Sequence, residues 1–200
     1  MTSKIFGLTI GFAILVSALG LGWPENRQAV LHADDEEWDS PHVAPYVPTP
    51  HEVVSRMLEV AEIKQGDVLY DLGSGDGRIV LAAAKKFGIR AVGFEIDPGL
   101  VKNSRQIIKQ AGLEELVEIR EQDIRTVDFS FASVVTMYLY PAANLRLRPV
   151  LMRELKPGSR VISHDFGMGS WKPDRVERLK DTAGLSRTIY RWRIADRAAQ

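Results

Sequence analysis

The chain has no cysteine, which excludes a disulfide scaffold, a thiolate nucleophile and any Cys-ligated zinc or iron–sulfur site. Net charge is also missing. Lys and Arg number 26 against 26 Asp and Glu, which argues against gripping nucleic acid by bulk electrostatics, so no nucleic-acid partner is expected. Apart from His164, the histidines His32, His42 and His51 show no metal-ligand spacing, and no metal is expected. No segment recurs at a period of about 20–50 residues, which removes repeat architectures. What is present is an ordinary globular composition, 45% hydrophobic and 26% charged over 200 residues, enough for one folded domain with an appendage.

The appendage is N-terminal. Ile5 to Trp23 runs nineteen residues without a charge after the short MTSK, close to the ~20 apolar residues that cross a bilayer. Residues 1–23 therefore read as a membrane anchor or a signal segment, with the protein membrane-associated through it. Residues 24–44 follow as an acidic, Pro-containing linker, too poor in apolar surface to repay ordering. Residues 1–44 hold two basic side chains against six acidic ones, and the remainder 24 against 20, so the net charges are −4 and +4. Lys4 before the apolar run and the acids after it favour an exported domain, but a single lysine leaves the side of the membrane open.

The folded domain is expected over 45–196. Thr49, Pro50 and Glu52 form a capping-box pattern that predicts a helix from Pro50 to about Gly66, with Val53, Val54, Met57, Leu58 and Ala61 on one stripe. Strand signals follow at 68–73, 91–97, 117–123, 133–140 and 160–165, separated by helix-forming stretches at 79–87, 98–112 and 142–155. Strands alternating with helices specify an α/β domain with a mainly parallel sheet. The last stretch differs, and 171–180 with 187–194 predict a closing antiparallel strand pair.

Between the first strand and its helix lies Asp71-Leu72-Gly73-Ser74-Gly75-Asp76-Gly77-Arg78. A loop of bare backbone beyond the carboxyl end of a parallel strand is where an α/β sheet holds a nucleotide. The dinucleotide fingerprint would put its third glycine where Arg78 stands, and Asp71 and Asp76 repel a pyrophosphate while suiting a ligand with an ammonium and a sulfonium. S-adenosylmethionine is such a ligand. No G-K-[ST] follows, so a P-loop is excluded. Glu95 ends the second strand, 20 residues after Gly75, where an acid can accept both ribose hydroxyls. Asp123 ends the third, placed to accept from an adenine amino group, with Ile124 as an apolar wall. Asp97, followed by Pro98, reads as a helix cap instead.

In this order of glycine loop, ribose acid and adenine acid the sequence resembles the class I S-adenosylmethionine-dependent methyltransferases over residues 68 to 165. More narrowly, PYVPTP, DLGSGDGRIVLAAA, VGFEIDP, SHDF and WKP are similar to the membrane-anchored protein-lysine methyltransferases related to the enzyme of the ATP synthase c-subunit. The resemblance implies a single Rossmann-like methyltransferase domain that transfers a methyl group to a protein lysine. It also implies that Pro45 to Pro50 folds over the methionine end of the cofactor. Tyr138 and Tyr140 take the place of the Asn/Asp-Pro-Pro-aromatic motif of amide and base methyltransferases, which disfavours those acceptors and suggests that the two tyrosines position the acceptor. Methylation of a small molecule or lipid head group, and cofactor binding without turnover, stay open as alternatives. Arg187, Arg191 and Arg193, with Arg175 and Arg178 nearby, read as a basic strand face, solvated or turned to an anionic partner.

Overall fold

The computed structural model describes residues 44–196; the expected membrane segment, and all of the expected linker except Ala44, lie outside the described residues. Among the described residues no helix is long and apolar enough to cross a membrane. Seven strands, β1 (Val68–Leu72), β2 (Arg90–Glu95), β3 (Val117–Glu121), β4 (Val134–Met137), β5 (Arg160–His164), β6 (Arg175–Lys180) and β7 (Ser186–Arg193), form one sheet. Their order is β3-β2-β1-β4-β5-β7-β6. The first five are mutually parallel, and β7 runs antiparallel to both β5 and β6. The helices are α1 (His51–Val60), α2 (Arg78–Phe87), α3 (Pro98–Gln110) and α4 (Pro141–Glu154).

Period-two alternation sorts the strands between two cores. Leu69, Ala91, Val134 and Ile162 face a cluster with Val53, Met57 and Leu58 of α1, Val80 and Ala83 of α2, and Val101 and Ile108 of α3. Tyr70, Leu72, Val92, Phe94, Val135 and Val161 face the opposite cluster, with Leu147 and Leu151 of α4 and with Trp192. Strand order reverses between β1 and β4, because the chain winds outward from β1 to β3 and then returns to the other side of β1. That switch opens a crevice at the carboxyl ends of β1 and β4, beside the glycine loop.

Several expected boundaries move. The capping box does not form: Pro50 caps α1 without a side-chain bond, Thr49 is buried, and Glu52 accepts from the Thr182 amide at 2.7 Å. Asp97 does cap α3, accepting from Leu100 N at 2.9 Å. β4 stops at Met137 rather than Tyr140, and Tyr140 serves instead as the extended cap of α4, whose first residue is Pro141. The last pair starts at Arg175, beyond Pro173, which cannot donate to a ladder.

The basic strand face is corrected by its partners. Arg191 is buried and pairs with Asp174 at 3.0 Å and Glu62 at 2.6 Å. Arg187 pairs with Asp181 and Asp165, Arg175 with Glu177, and Arg193 with Glu62. Four of the five arginines are thus tied to carboxylates on or beside the same strands, which no strand-by-strand reading of charge reveals.

Candidate functional site

One cleft runs along the carboxyl ends of the parallel strands, and its residues arrive in the order in which the strands lie. Asp123 and Ile124 come from the end of β3, Glu95 from β2, Asp71 and the glycine loop from β1, and Tyr138 and Leu139 from β4. Ala44 to Thr49 cover one side. Of the site residues expected from sequence, Asp71, Gly73, Ser74, Gly75, Asp76, Glu95, Asp123, Ile124 and Tyr138 line this cleft together. Gly77 and Tyr140 do not. Gly77, at φ 79, caps α2, and a Cβ there would stand 3.2 Å from the Cβ of Ser104; its smallness brings α2 against α3. Tyr140 caps α4 half-exposed, edge-on to Phe166 at 6.4 Å between ring centres.

Glu95 fastens the glycine loop to the end of β2. One carboxylate oxygen accepts from Gly75 N at 2.8 Å, and the other from Ile96 N at 2.8 Å and Asp97 N at 3.0 Å. Backbone donors thus hold the carboxylate rigid, and the oxygen that accepts only from Gly75 keeps a lone pair for a ligand hydroxyl. Gly73 N and Ser74 N both donate to Phe94 O, at 3.0 and 2.9 Å. The Ser74 side chain lies over Gly93, where a Cβ would meet its Oγ at 2.6 Å, and that buried Oγ has no partner of its own.

Asp71 is 2% exposed and accepts from Thr136 Oγ1 at 2.7 Å. Burial pushes its carboxyl up to about 7; the Thr136 hydroxyl opposes this, and the Glu95 and Asp76 carboxylates add to it. The site therefore holds an acid poised to give up its proton when a cation arrives. Asp76 is different. Arg78 clasps it through Nε at 2.9 Å and Nη2 at 2.6 Å and donates to Thr49 O at 2.8 Å. Burial raises the Asp76 carboxyl, but the guanidinium outweighs it and holds the group below the usual range. Asp123 follows the same pattern: burial raises it, and Arg125, which also donates its amide at 2.9 Å, holds it low. Neither arginine contact is legible in the sequence, although both arginines stand two residues after the acid they clasp. Thr136, 65 residues from Asp71, gives no local signal at all.

Tyr46 completes the wall. Its ring lies on Gly75, where an added Cβ would fall 2.6 Å from the Tyr46 Cε2, and its hydroxyl interacts with Asp76 and Arg78. Tyr138 packs at a tilt against His164, ring centres 4.0 Å apart, with Phe166 stacked at 6.1 Å. His164 is fully buried, and burial lowers its imidazole to about 4; nearby Asp165 opposes that shift and Arg187 adds to it.

The donor set suits S-adenosylmethionine. Glu95 fits a ribose hydroxyl, Asp123 with Ile124 an adenine, and Asp71 an ammonium, while Arg78, the cleft's guanidinium, is committed to Asp76 and so is not free for a pyrophosphate.

Comparison with known proteins agrees with this geometry. Residues 71–175 match the family described as the ANTKMT methyltransferase domain. The chain is 44% identical to a protein-lysine N-methyltransferase of Saccharolobus islandicus over 78% of this chain and 96% of that one. It is 39% identical to the human lysine N-methyltransferase of the ATP synthase c-subunit over 66% of this chain, and spans 56% of the human protein's length. A crystal structure described as an RNA methyltransferase of Salinibacter ruber in complex with S-adenosyl-L-homocysteine shares 55% identity with a TM-score of 0.70, over 75% of this chain and 95% of that one.

Proposed function

The chain belongs to the ANTKMT methyltransferase family, class I enzymes that use S-adenosylmethionine, and from that premise we propose that its acceptor is the side-chain amine of a lysine in a protein. The observation that carries the acceptor is the match with nearly the whole length of the Saccharolobus protein-lysine enzyme. S-adenosylmethionine, when bound, supplies a methyl carbon on positive sulfur, whose bond to sulfur breaks as the nitrogen–carbon bond forms. The chain's own residues do the rest.

Asp123 and Ile124 would hold the adenine, Glu95 the ribose, and Asp71 the ammonium of the amino-acid tail, with Gly73, Ser74 and Gly75 as the floor. Tyr46 excludes water above Gly75. Tyr138 is the acceptor-side wall. A lysine must arrive neutral, and the apolar faces of Tyr138 and Leu139 favour the uncharged amine. For the Salinibacter protein the named acceptor is RNA, but an open cationic stripe is not what the terminal strands of this chain present, because Arg175, Arg187, Arg191 and Arg193 are ion-paired.

The test is tritiated-methyl S-adenosylmethionine with the full chain, offered separately the membrane proteins, lipid extract and total RNA of cells lacking the gene. Label recovered as N-methyl-lysine after acid hydrolysis supports the reading; label only in RNA or lipid overturns it. Attachment to a membrane through Ile5 to Trp23 is part of the proposal, supported by the uncharged run. Full-length protein remaining in the pellet after alkaline carbonate extraction is the expected result, and its release to the supernatant would contradict an anchor.

A further inference from the structure

We propose that the Thr49 hydroxyl orients the acceptor amine and that His164, behind it, sets the direction of that hydroxyl; the assignment rests on the lysine reading above. Across the sheet the strand ends follow one another as Asp123, Glu95, Asp71, Tyr138 and His164. With adenine at Asp123 and the ammonium at Asp71, the acceptor enters on the far side, over β4 and β5. There the cleft wall is Thr49, Tyr138 and Leu139. The Tyr138 hydroxyl is engaged with Arg187, so the other hydroxyl of this wall, that of the nearly buried Thr49, is the one assigned to the substrate.

Thr49 Oγ1 lies 3.3 Å from His164 Nδ1. On the other side of the ring Nε2 stands 3.3 Å from Asp165 Oδ2, yet makes no hydrogen bond. A carboxylate beside Nε2 favours the tautomer with its proton there, and Nδ1 is then a bare lone pair. In that tautomer Thr49 donates its proton to Nδ1, and its oxygen keeps its lone pairs for another donor. A neutral amine that gives one N–H to that oxygen has its own lone pair aimed, as in-line displacement requires.

Asp165 is held in place against its backbone preference. It is a non-glycine residue at φ 59, a left-handed conformation that persists only where the surroundings impose it. Thr188 fixes it there from both sides, its amide donating to Asp165 Oδ1 at 2.8 Å and its carbonyl accepting from Asp165 N at 2.7 Å.

The experiment compares Thr49→Val, Thr49→Ser, His164→Asn and His164→Leu in the full chain, with the tritium assay on membrane protein and calorimetric titration of S-adenosylhomocysteine. Thr49→Val should lower kcat about 10- to 100-fold while S-adenosylhomocysteine affinity and KM stay within about twofold, the range expected for losing one orienting bond. Thr49→Ser should restore most of the rate. Asn, whose amide oxygen can stand where Nδ1 stands, should retain more activity than Leu. A wild-type rate in Thr49→Val, a Ser variant no better than Val, or Asn no better than Leu would overturn the assignment, as would loss of product binding that accounts for the whole defect. If the wild-type chain methylates no lysine while it labels RNA or lipid, the acceptor reading itself has failed.

Discussion

At Gly75 a methyl group in place of hydrogen meets the Tyr46 ring at 2.6 Å, and the backbone is left-handed at φ 55. Gly75→Ala is therefore expected to displace either the loop or Tyr46 and to weaken S-adenosylhomocysteine binding at least tenfold, read by calorimetry. Asp71 yields a second prediction, because its carboxyl titrates near 7 in the folded protein against 3.8 for the free side chain. An ammonium bound beside it favours the charged form, so binding expels a proton. Affinity for S-adenosylhomocysteine should rise as pH climbs from about 6 to 8, with proton release visible as a dependence of binding heat on buffer ionisation enthalpy. Asp71→Asn should remove that release. An equal heat in all buffers for the wild type would show that Asp71 is already ionised.

Among the elements, the far ends of β1 and β5 depend on a buried ion pair. Arg160 and Asp67 are 6% and 9% exposed, and Arg160 also donates to Ala61 O at 3.0 Å, while Ser133 Oγ donates to Asp67 at 2.7 Å. One contact thus joins the end of α1, the entry to β1, the entry to β4 and the start of β5. Removing one partner strands the other charge, and Asp67→Ala should cost about 3–5 kcal/mol in denaturant unfolding. The same elements show where local reading stopped. Val53, Val54, Met57 and Leu58 announce α1 by their spacing, and all are buried. Thr49 and Glu52 spell a capping box, yet each finds its partner more than a hundred residues away, Thr49 at His164 and Glu52 at Thr182. A cap is worth about 1 kcal/mol, little enough for tertiary contacts to override.

For the protein as a unit, two buried titrations oppose one another. His164 is lowered to about 4 from 6.5, so its contribution to stability is whole above 6.5 and is lost as pH falls through 4. Asp71 is raised, so its contribution is whole below 3.8 and is lost as pH rises through about 7. Between pH 4 and 7 the two slopes offset each other. In the absence of ligand, Asp71→Asn should melt at falling temperature as pH drops across that window, and His164→Asn should show the reverse trend. Parallel curves for both variants and the wild type would contradict the two assignments.

The glycine loop with its flanking acids, the strand-end positions of Glu95 and Asp123, and the alternation that yields a mainly parallel sheet are written in short stretches of chain. Each follows from spacing along one or two elements, which is why the sequence alone determines them. The partners of those residues are another matter. Thr136 on Asp71, His164 behind Thr49, and Asp174 on Arg191 join positions 17 to 115 residues apart. Only the packing of the sheet chooses among the many acids and hydroxyls that could have served, because a hydrogen bond depends on where two side chains end in space, and neither residue's neighbours in sequence carry that information.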